Sequence, residues 1–229
     1  MSAFRIDMHV HTKNVSPCGK IDARDVARLY KGAGYDAVVI TDHYYQGYFD
    51  SLGTLSWEAK IDRFLEGYRE AQTTGKKTGL TVLLGMELRF ITNENDYLVY
   101  GVTESFLKEA PPLFEMRLEE FYDVSREHNM LIYQAHPFRP GMIAANPAFL
   151  DGVEVFNGNP RHNSRNDLAR QFAARHQLAM ISGSDFHQQE DLGRGGMLLT
   201  TKIRSNAELV AVLRDNGPVE LLGLDKVAI

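Results

Sequence analysis

Short apolar runs alternate with longer amphipathic stretches along all 229 residues, and that alternation constrains the fold more than any other feature. Phe4–Val10, Ala37–Ile40, Leu131–Gln134 and residues 81–84, 97–102, 152–156, 178–181 and 197–201 read as strands. Between them, 57–73, 113–128 and 167–175 read as helices. An earlier helix has Asp22 as its cap, Val26, Leu29, Tyr30 and Ala33 on one face, and Gly34 as its stop. Ser205 and Glu208 form the start signal of a last helix, closed by Gly217-Pro218. Seven or so strands separated by helices imply βα units, an α/β class and a mostly parallel sheet. No linker, composition shift or internal repeat divides the chain, so 1–229 reads as a single domain.

Composition excludes several function classes. Hydrophobic residues at 44% and charged residues at 24% are ordinary globular usage, which rules out a disordered, collagen-like or coiled-coil chain. The formal charge of −5 comes without any basic run of five, which argues against a large nucleic-acid footprint. Cys18 is the single cysteine, so no internal disulfide can form and nothing points to an oxidising compartment. The opening MSAFRIDMHVHT has no apolar leader, and no apolar run approaches the roughly 20 residues of a membrane span. A cytoplasmic protein without membrane contact is the expectation.

The histidines and acids are placed in a pattern. His9, His11, His43, His136 and His187 fall at or just past the C-terminal end of an expected strand, as do Glu87 and Asp185. In a closed parallel barrel those ends meet on the face that carries the active site. In His9-Val10-His11 two imidazoles sit at i and i+2, on one side of a strand, where both can reach one metal ion. Asp185-Phe186-His187 repeats the spacing with a carboxylate and an imidazole. Either triplet alone also suits a strand-end turn; several unrelated strands ending this way weaken that alternative. Glu87 reads as a solvated loop acid or as a carboxylate whose two oxygens bridge two metals. Asp7 shares the face of His9 and His11 and is expected to accept a hydrogen bond from a ligand imidazole. His128, His162 and His176 lie at helix ends or in a polar loop and are read as non-ligands.

Together, His9-x-His11, Thr41-Asp42-His43, Gly85-x-Glu87, Ala135-His136-Pro137 and Gly183-Ser184-Asp185-x-His187 resemble the PHP (polymerase and histidinol phosphatase) superfamily. The motifs follow the family order from residue 9 to 187. The resemblance implies a distorted seven-stranded β/α barrel of TIM-like build. It implies two or three divalent metal ions (Zn, Mn or Fe) at the strand C-termini and hydrolysis of phosphate esters. It makes His9, His11 and Asp185 ligands of a first metal, Glu87 a bridge to a second, His136 a ligand of the second, and His43 and His187 ligands of a third. Two positions depart from the commoner family pattern. Asp96, in Asp96-Tyr97-Leu98-Val99-Tyr100-Gly101, stands where the family usually has a His. Cys18 falls near a position usually held by His or Asp. As ligands, a carboxylate would suit manganese and a thiolate zinc or ferrous iron. Cys18 as a buried small residue is the other reading.

Arg139, three residues past His136, is the best-placed fork for a phosphate, followed by Arg89, Arg161 and Arg194. Arg139, Arg161 and Arg194 are therefore expected to bind substrate, and Glu87, Asp185, His187 and Arg139 to take part in the chemistry. Glu154 and Asn157 end a strand and are placed to line the pocket. The aromatic run 44–49 reads as a wall for a substrate ring or as ordinary packing under a long loop, the second being favoured. The expected activity is hydrolysis of a small phosphate ester, a phosphomonoester or nucleotide, by a metal-bridged hydroxide. The alternatives are an exonuclease-like phosphodiesterase on short nucleic acid and a catalytically silent metal-binding module.

Overall fold

The computed structural model describes residues 3–215 and 219–223. The expected helix stop at Gly217-Pro218 lies outside them. The strands are β1 (Phe4–Val10), β2 (Ala37–Ile40), β3 (His43–Tyr44), β4 (Thr81–Arg89), β5 (Asp96–Tyr100), β6 (Leu131–Gln134), β7 (Gly152–Asn157), β8 (Ala179–Gly183), β9 (Gly196–Leu199) and β10 (Val219–Leu222). The helices are α1 (Ala23–Gly32), α2 (Gln46–Ser51), α3 (Trp57–Phe64), α4 (Glu66–Thr78), α5 (Glu104–Glu109), α6 (Leu118–Glu127), α7 (Asn166–His176) and α8 (Asn206–Arg214).

Seven strands follow one another around a barrel-like sheet in the order β1-β2-β4-β5-β6-β7-β8. The seam between β8 and β1 is drawn together past the end of β8. There Phe186 bridges Val10 in parallel, with the His11 amide donating to the Phe186 carbonyl at 2.9 Å. At the other end of the seam β9 runs antiparallel to residues Phe4–Ile6 of β1, and β10 runs antiparallel to β9. Among the described residues, the strands beyond those read from the sequence are the two-residue β3 beside β4 and β10, which extends the seam ribbon begun by the expected strand at 197–201, β9.

The sheet is also less parallel than the alternation suggests. β5 pairs antiparallel with both β4 and β6. Its N-terminal residue, Asp96, therefore reaches the rim where the other barrel strands deliver their C-terminal residues, directly opposite Arg89 of β4. Two expected helices are divided. The stretch from Trp57 breaks at Leu65 into α3 and α4, and the stretch from Leu113 begins as a 3-10 turn before α6. Ser205 caps α8 as expected, accepting from the Glu208 amide at 3.2 Å. Asp22 makes no such bond; Asn14 accepts from the Ala23 amide at 2.9 Å instead. No helix among the described residues is long and apolar enough to cross a membrane.

Apolar side chains of the strands fill the barrel and the space beneath the helices. Phe4, Ile6, Met8, Val39, Leu83, Leu98, Tyr100, Leu131, Tyr133 and Ile181 form one buried cluster under the rim. A larger cluster holds Tyr44, Tyr48 and Phe49 of the aromatic run, packed with Phe64 and Phe114. These three rings are core, as the favoured reading expects; Tyr45 alone of the run lines the open cleft by the histidines.

Candidate metal centre

β1 delivers His9, and the residues just after it deliver His11, to the barrel rim, both rings buried. The pairing of β1 with β2 shifts register between Asp7 and Val10. Such an irregularity re-aims side chains. Asp7 accordingly parts from His9: its carboxylate accepts from the His9 and Ser184 amides at 3.2 and 3.0 Å and from the Tyr30 hydroxyl at 2.9 Å. It touches no ligand imidazole, contrary to the expectation, and burial raises its pKa to about 6.

His9 is held through its other nitrogen. Nδ1–H donates to Glu154 Oε1 at 2.9 Å, which leaves Nε2 without a hydrogen-bond partner. Glu154 is buried, and its second oxygen accepts from the His136 amide and from Asn157 Nδ2, both at 3.0 Å. Gly183 permits this contact, because a Cβ there would lie 2.4 Å from His9 Cβ and 2.8 Å from Glu154 Oε1. His11 repeats the arrangement. Nδ1–H donates to Ser16 Oγ at 3.2 Å, and Ser16 donates to Asp42 Oδ1 at 2.7 Å, again leaving Nε2 unpartnered. Asp42 is fixed in turn by the Thr12 amide and hydroxyl, both at 2.7 Å.

The two free Nε2 atoms face carboxylates. His9 Nε2 lies 3.3 Å from Glu87 Oε1 and 3.4 Å from Asp185 Oδ1. His11 Nε2 lies 3.4 Å from Glu87 Oε2 and 3.4 Å from Asp185 Oδ1. Glu87 also meets His136 Nε2 at 3.1 Å and His43 Nδ1 at 2.7 Å, so one carboxylate touches four rings carried by three separate segments. Three overlapping donor sets result, each within 4.8 Å: His9, His11 and Asp185; His9, Glu87 and His136; His11, His43 and His187. His136 and Asp185 carry positive φ angles of 27° and 52°. Neither is glycine, and strained backbone of this kind gathers at functional sites.

Electrostatics give the same picture. Burial opposes a proton on His9, yet Glu154, Asp185 and Glu87 outweigh it and raise its pKa well above the ordinary value. Burial and then the charges of His43 and His187 push His11 well below. Burial would lift Glu87 and Asp185, but His9 foremost holds both well below the carboxylate range. Unpartnered buried donors and acceptors are costly, and His9 Nε2, His11 Nε2 and Glu87 Oε2 are buried without a hydrogen-bond partner. The donor set, nitrogen and oxygen with unfilled valences, therefore fits divalent cations.

The remaining expected residues sit at different distances from this centre. His187 donates from Nδ1 to the Asp185 carbonyl at 2.8 Å, which frees Nε2. Cys18 is exposed, not buried, with Sγ 3.2 Å from His43 Nε2. Burial raises the thiol pKa, but His187 and His43 prevail and bring it to about 6. Asp96 lies at the edge, with Oδ2 4.0 Å from His136 Nε2 and both oxygens bound by the Arg89 fork at 2.7 and 2.8 Å. Arg139 reaches the centre, donating to Asp185 Oδ2 at 2.6 Å and Asn157 Oδ1 at 3.3 Å, with Nε unpartnered. The Arg161 fork is bound to buried Asp191 at 2.6 and 2.7 Å, and Asp191 accepts from the His187 amide. Arg194 is exposed and donates from Nε to the Glu190 carbonyl. Neither Arg161 nor Arg194 contacts the centre. His128 and His176 pack on Phe106 and Phe172, away from it.

The comparisons with known proteins fit this geometry. Residues 163–217 match the family described as PHP-associated. The fold is similar to that of a two-domain protein from Bacteroides vulgatus described as containing a predicted PHP-like metal-dependent phosphoesterase, with TM-score 0.68 and 19% identity. The family match spans about a quarter of the chain, and the structural likeness is one of fold. The structural match covers 96% of this chain but only 64% of the Bacteroides protein. PsfC from Pseudomonas syringae is similar over 94% of this chain and 95% of its own, with TM-score 0.66 and 18% identity. A candidate metal-dependent phosphoesterase from Bifidobacterium adolescentis aligns over 97% of both chains at TM-score 0.56 and 17% identity. No curated protein matches the chain.

Proposed function

We propose that this chain is a PHP-type protein that hydrolyses a phosphate ester of a small molecule with the help of two or three divalent cations. The observation that carries the reading is the pair of unpartnered, buried Nε2 atoms of His9 and His11 facing Glu87 and Asp185. His9, His11, Asp185 and Glu87 would hold a first cation, Glu87 and His136 a second, and His43 and His187 with Cys18 alongside a third. Divalent cations supply Lewis acidity there, lowering the pKa of water and neutralising phosphoryl oxygens.

The chain's own residues supply position and charge. Glu154 and Ser16 fix the tautomers of His9 and His11, so the rings present Nε2 without rearrangement. Glu87 offers two oxygens to opposite sides of the cluster. Arg139 keeps N–H groups beyond its bond to Asp185, and a planar guanidinium suits a phosphoryl group at this rim. A cleft of about 230 Å³, lined by His43, Glu87, Tyr45 and Arg89, is below the 300–1,000 Å³ usual for drug-sized ligands and favours a small substrate.

Elemental analysis tests the reading, together with rates on phosphomonoesters, dinucleotides and short oligonucleotides. The expected result is at least two transition-metal ions per chain and hydrolysis confined to the small esters. Full activity in metal-free protein would overturn it. Metal bound without hydrolysis of any ester would favour a silent metal-binding module.

A further inference from the structure

The cleft beside the centre is lined by two unlike groups of residues, His43 and Glu87 from the donor sets and the Arg89–Asp96 ion pair, together with Pro17, Cys18 and Tyr45. Arg89 and Asp96 are a directly opposed cross-strand pair, held so because β5 runs antiparallel to β4. Opposed residues project to the same face of a sheet. The bidentate bond uses Nε and Nη2 of Arg89. Nη1 is left 3.6 Å from exposed Glu94, beyond hydrogen-bond reach. Asp96, by contrast, is buried with both oxygens taken by a cation. It stands outside the donor set formed by His9, Glu87 and His136.

Resting on the phosphoesterase reading, we propose that Asp96 is a positioning residue and not a metal ligand. It locks Arg89 into the cleft, where Arg89 recognises a second anionic group on the substrate, such as a carboxylate. A substrate phosphate held beside His43 and Glu87 directs its far end toward Arg89. The fixed fork then offers Nη1 donors in a set direction, and loses little side-chain freedom in doing so. The substrate class this defines is a short phosphate ester bearing a second negative charge.

The test uses two non-hydrolysable probes of nearly equal size, propylphosphonate and 3-phosphonopropionate, which differ by a terminal methyl against a carboxylate. Calorimetry on the metal-loaded protein measures both affinities, and elemental analysis measures metal content. The wild type should bind 3-phosphonopropionate at least about tenfold more tightly, since charge-assisted hydrogen bonds are the strong ones. Arg89→Gln should abolish the preference, and Arg89→Lys, which keeps charge but not the fork, should reduce it. Asp96→Asn should reduce the preference while metal content stays at the wild-type value. Thermal melts confirm that each variant is folded. Equal affinities in the wild type, a preference that survives Arg89→Gln, or loss of a metal ion from Asp96→Asn overturns the inference. Failure of the wild type to bind metal or inorganic phosphate at all would overturn the phosphoesterase reading instead.

Discussion

His9 and His11 on one side of the centre, and Cys18, Asp96 and Arg89 on the other, are fixed in different ways. The inner histidines are buried, and each has its second nitrogen tied to a side chain that is itself bonded further back. The outer residues face an open cleft, and their partners are each other or His43. Ligand orientation at the inner wall is thus set before any cation arrives. At the rim, Arg89 and Asp96 hold each other, and Cys18 stands exposed beside His43. Under the proposed function, the inner wall would govern whether a cation binds, and the rim would govern which cation and which substrate.

The comparison breaks most visibly at Glu87. Replacing it by Gln removes the one charge that meets both the His9–His136 and the His11–His43 sides. We expect loss of bound metal and a fall of at least ~10²-fold in rate. Elemental analysis and turnover at saturating metal check this; a wild-type rate would make Glu87 a bystander to the chemistry. Glu154 ranks next. It touches no unpartnered atom of the cluster, yet Glu154→Gln should weaken metal binding by about 10–100-fold, because it frees His9 Nδ1 and loosens the His136 amide. Competition against a chelator measures that loss, and unchanged affinity would show that the inner wall needs no anchoring.

The legible part of this centre follows the same division. His9, His11, Glu87, His136 and Asp185 could be read from the sequence because parallel strands end at one rim, so strand position alone places them. Asp96 obeyed no such rule. It begins its strand, and only the reversal of β5 brings it to the rim, which alternation of strand and helix does not reveal. Strand periodicity puts Asp7 on the face of His9, and the strand irregularity between Asp7 and Val10 turns it away from that neighbour. Glu154 reads from the sequence as a pocket-lining residue, although a charge between Val153 and Val155 in an apolar run is a usable sign of a buried partner. The strand at 197–201 is legible as β9, but its antiparallel pairing with β1 and the added β10 are not, because antiparallel additions at a barrel seam leave no helix to mark the crossover.

A smaller effect is expected at Cys18, where the rim meets the third donor set. Cys18→Ala removes a sulfur 3.2 Å from His43 Nε2 and leaves His9, His11, Glu87, His136 and Asp185 untouched. One cation should weaken while the others stay, and the rates with zinc or ferrous iron should fall relative to manganese. Metal content and rates with each ion supplied in turn decide it. An unchanged ranking would mean that the thiol has no part in the choice of metal.

The smallest effect is expected at Arg194, and it separates the arginines that sequence position groups together. Arg139 donates to Asp185 inside the centre, and Arg161 closes a fork on buried Asp191, which in turn holds the His187 amide. Arg194 makes one bond, from Nε to the Glu190 carbonyl, and is otherwise in solvent. Removing it strands no buried charge, so Arg194→Ala should change stability by no more than about 0.5 kcal/mol, the usual range for an exposed site. Turnover should stay within about twofold, since a screened surface charge adds little to a field that bound cations dominate. Arg161→Ala would instead leave Asp191 with backbone amides alone and disturb His187, so a matched pair of melting curves and rates distinguishes an arginine that supports the centre from one that does not. A tenfold loss of rate in Arg194→Ala would place that side chain on the substrate and extend the binding surface past the Arg89 cleft.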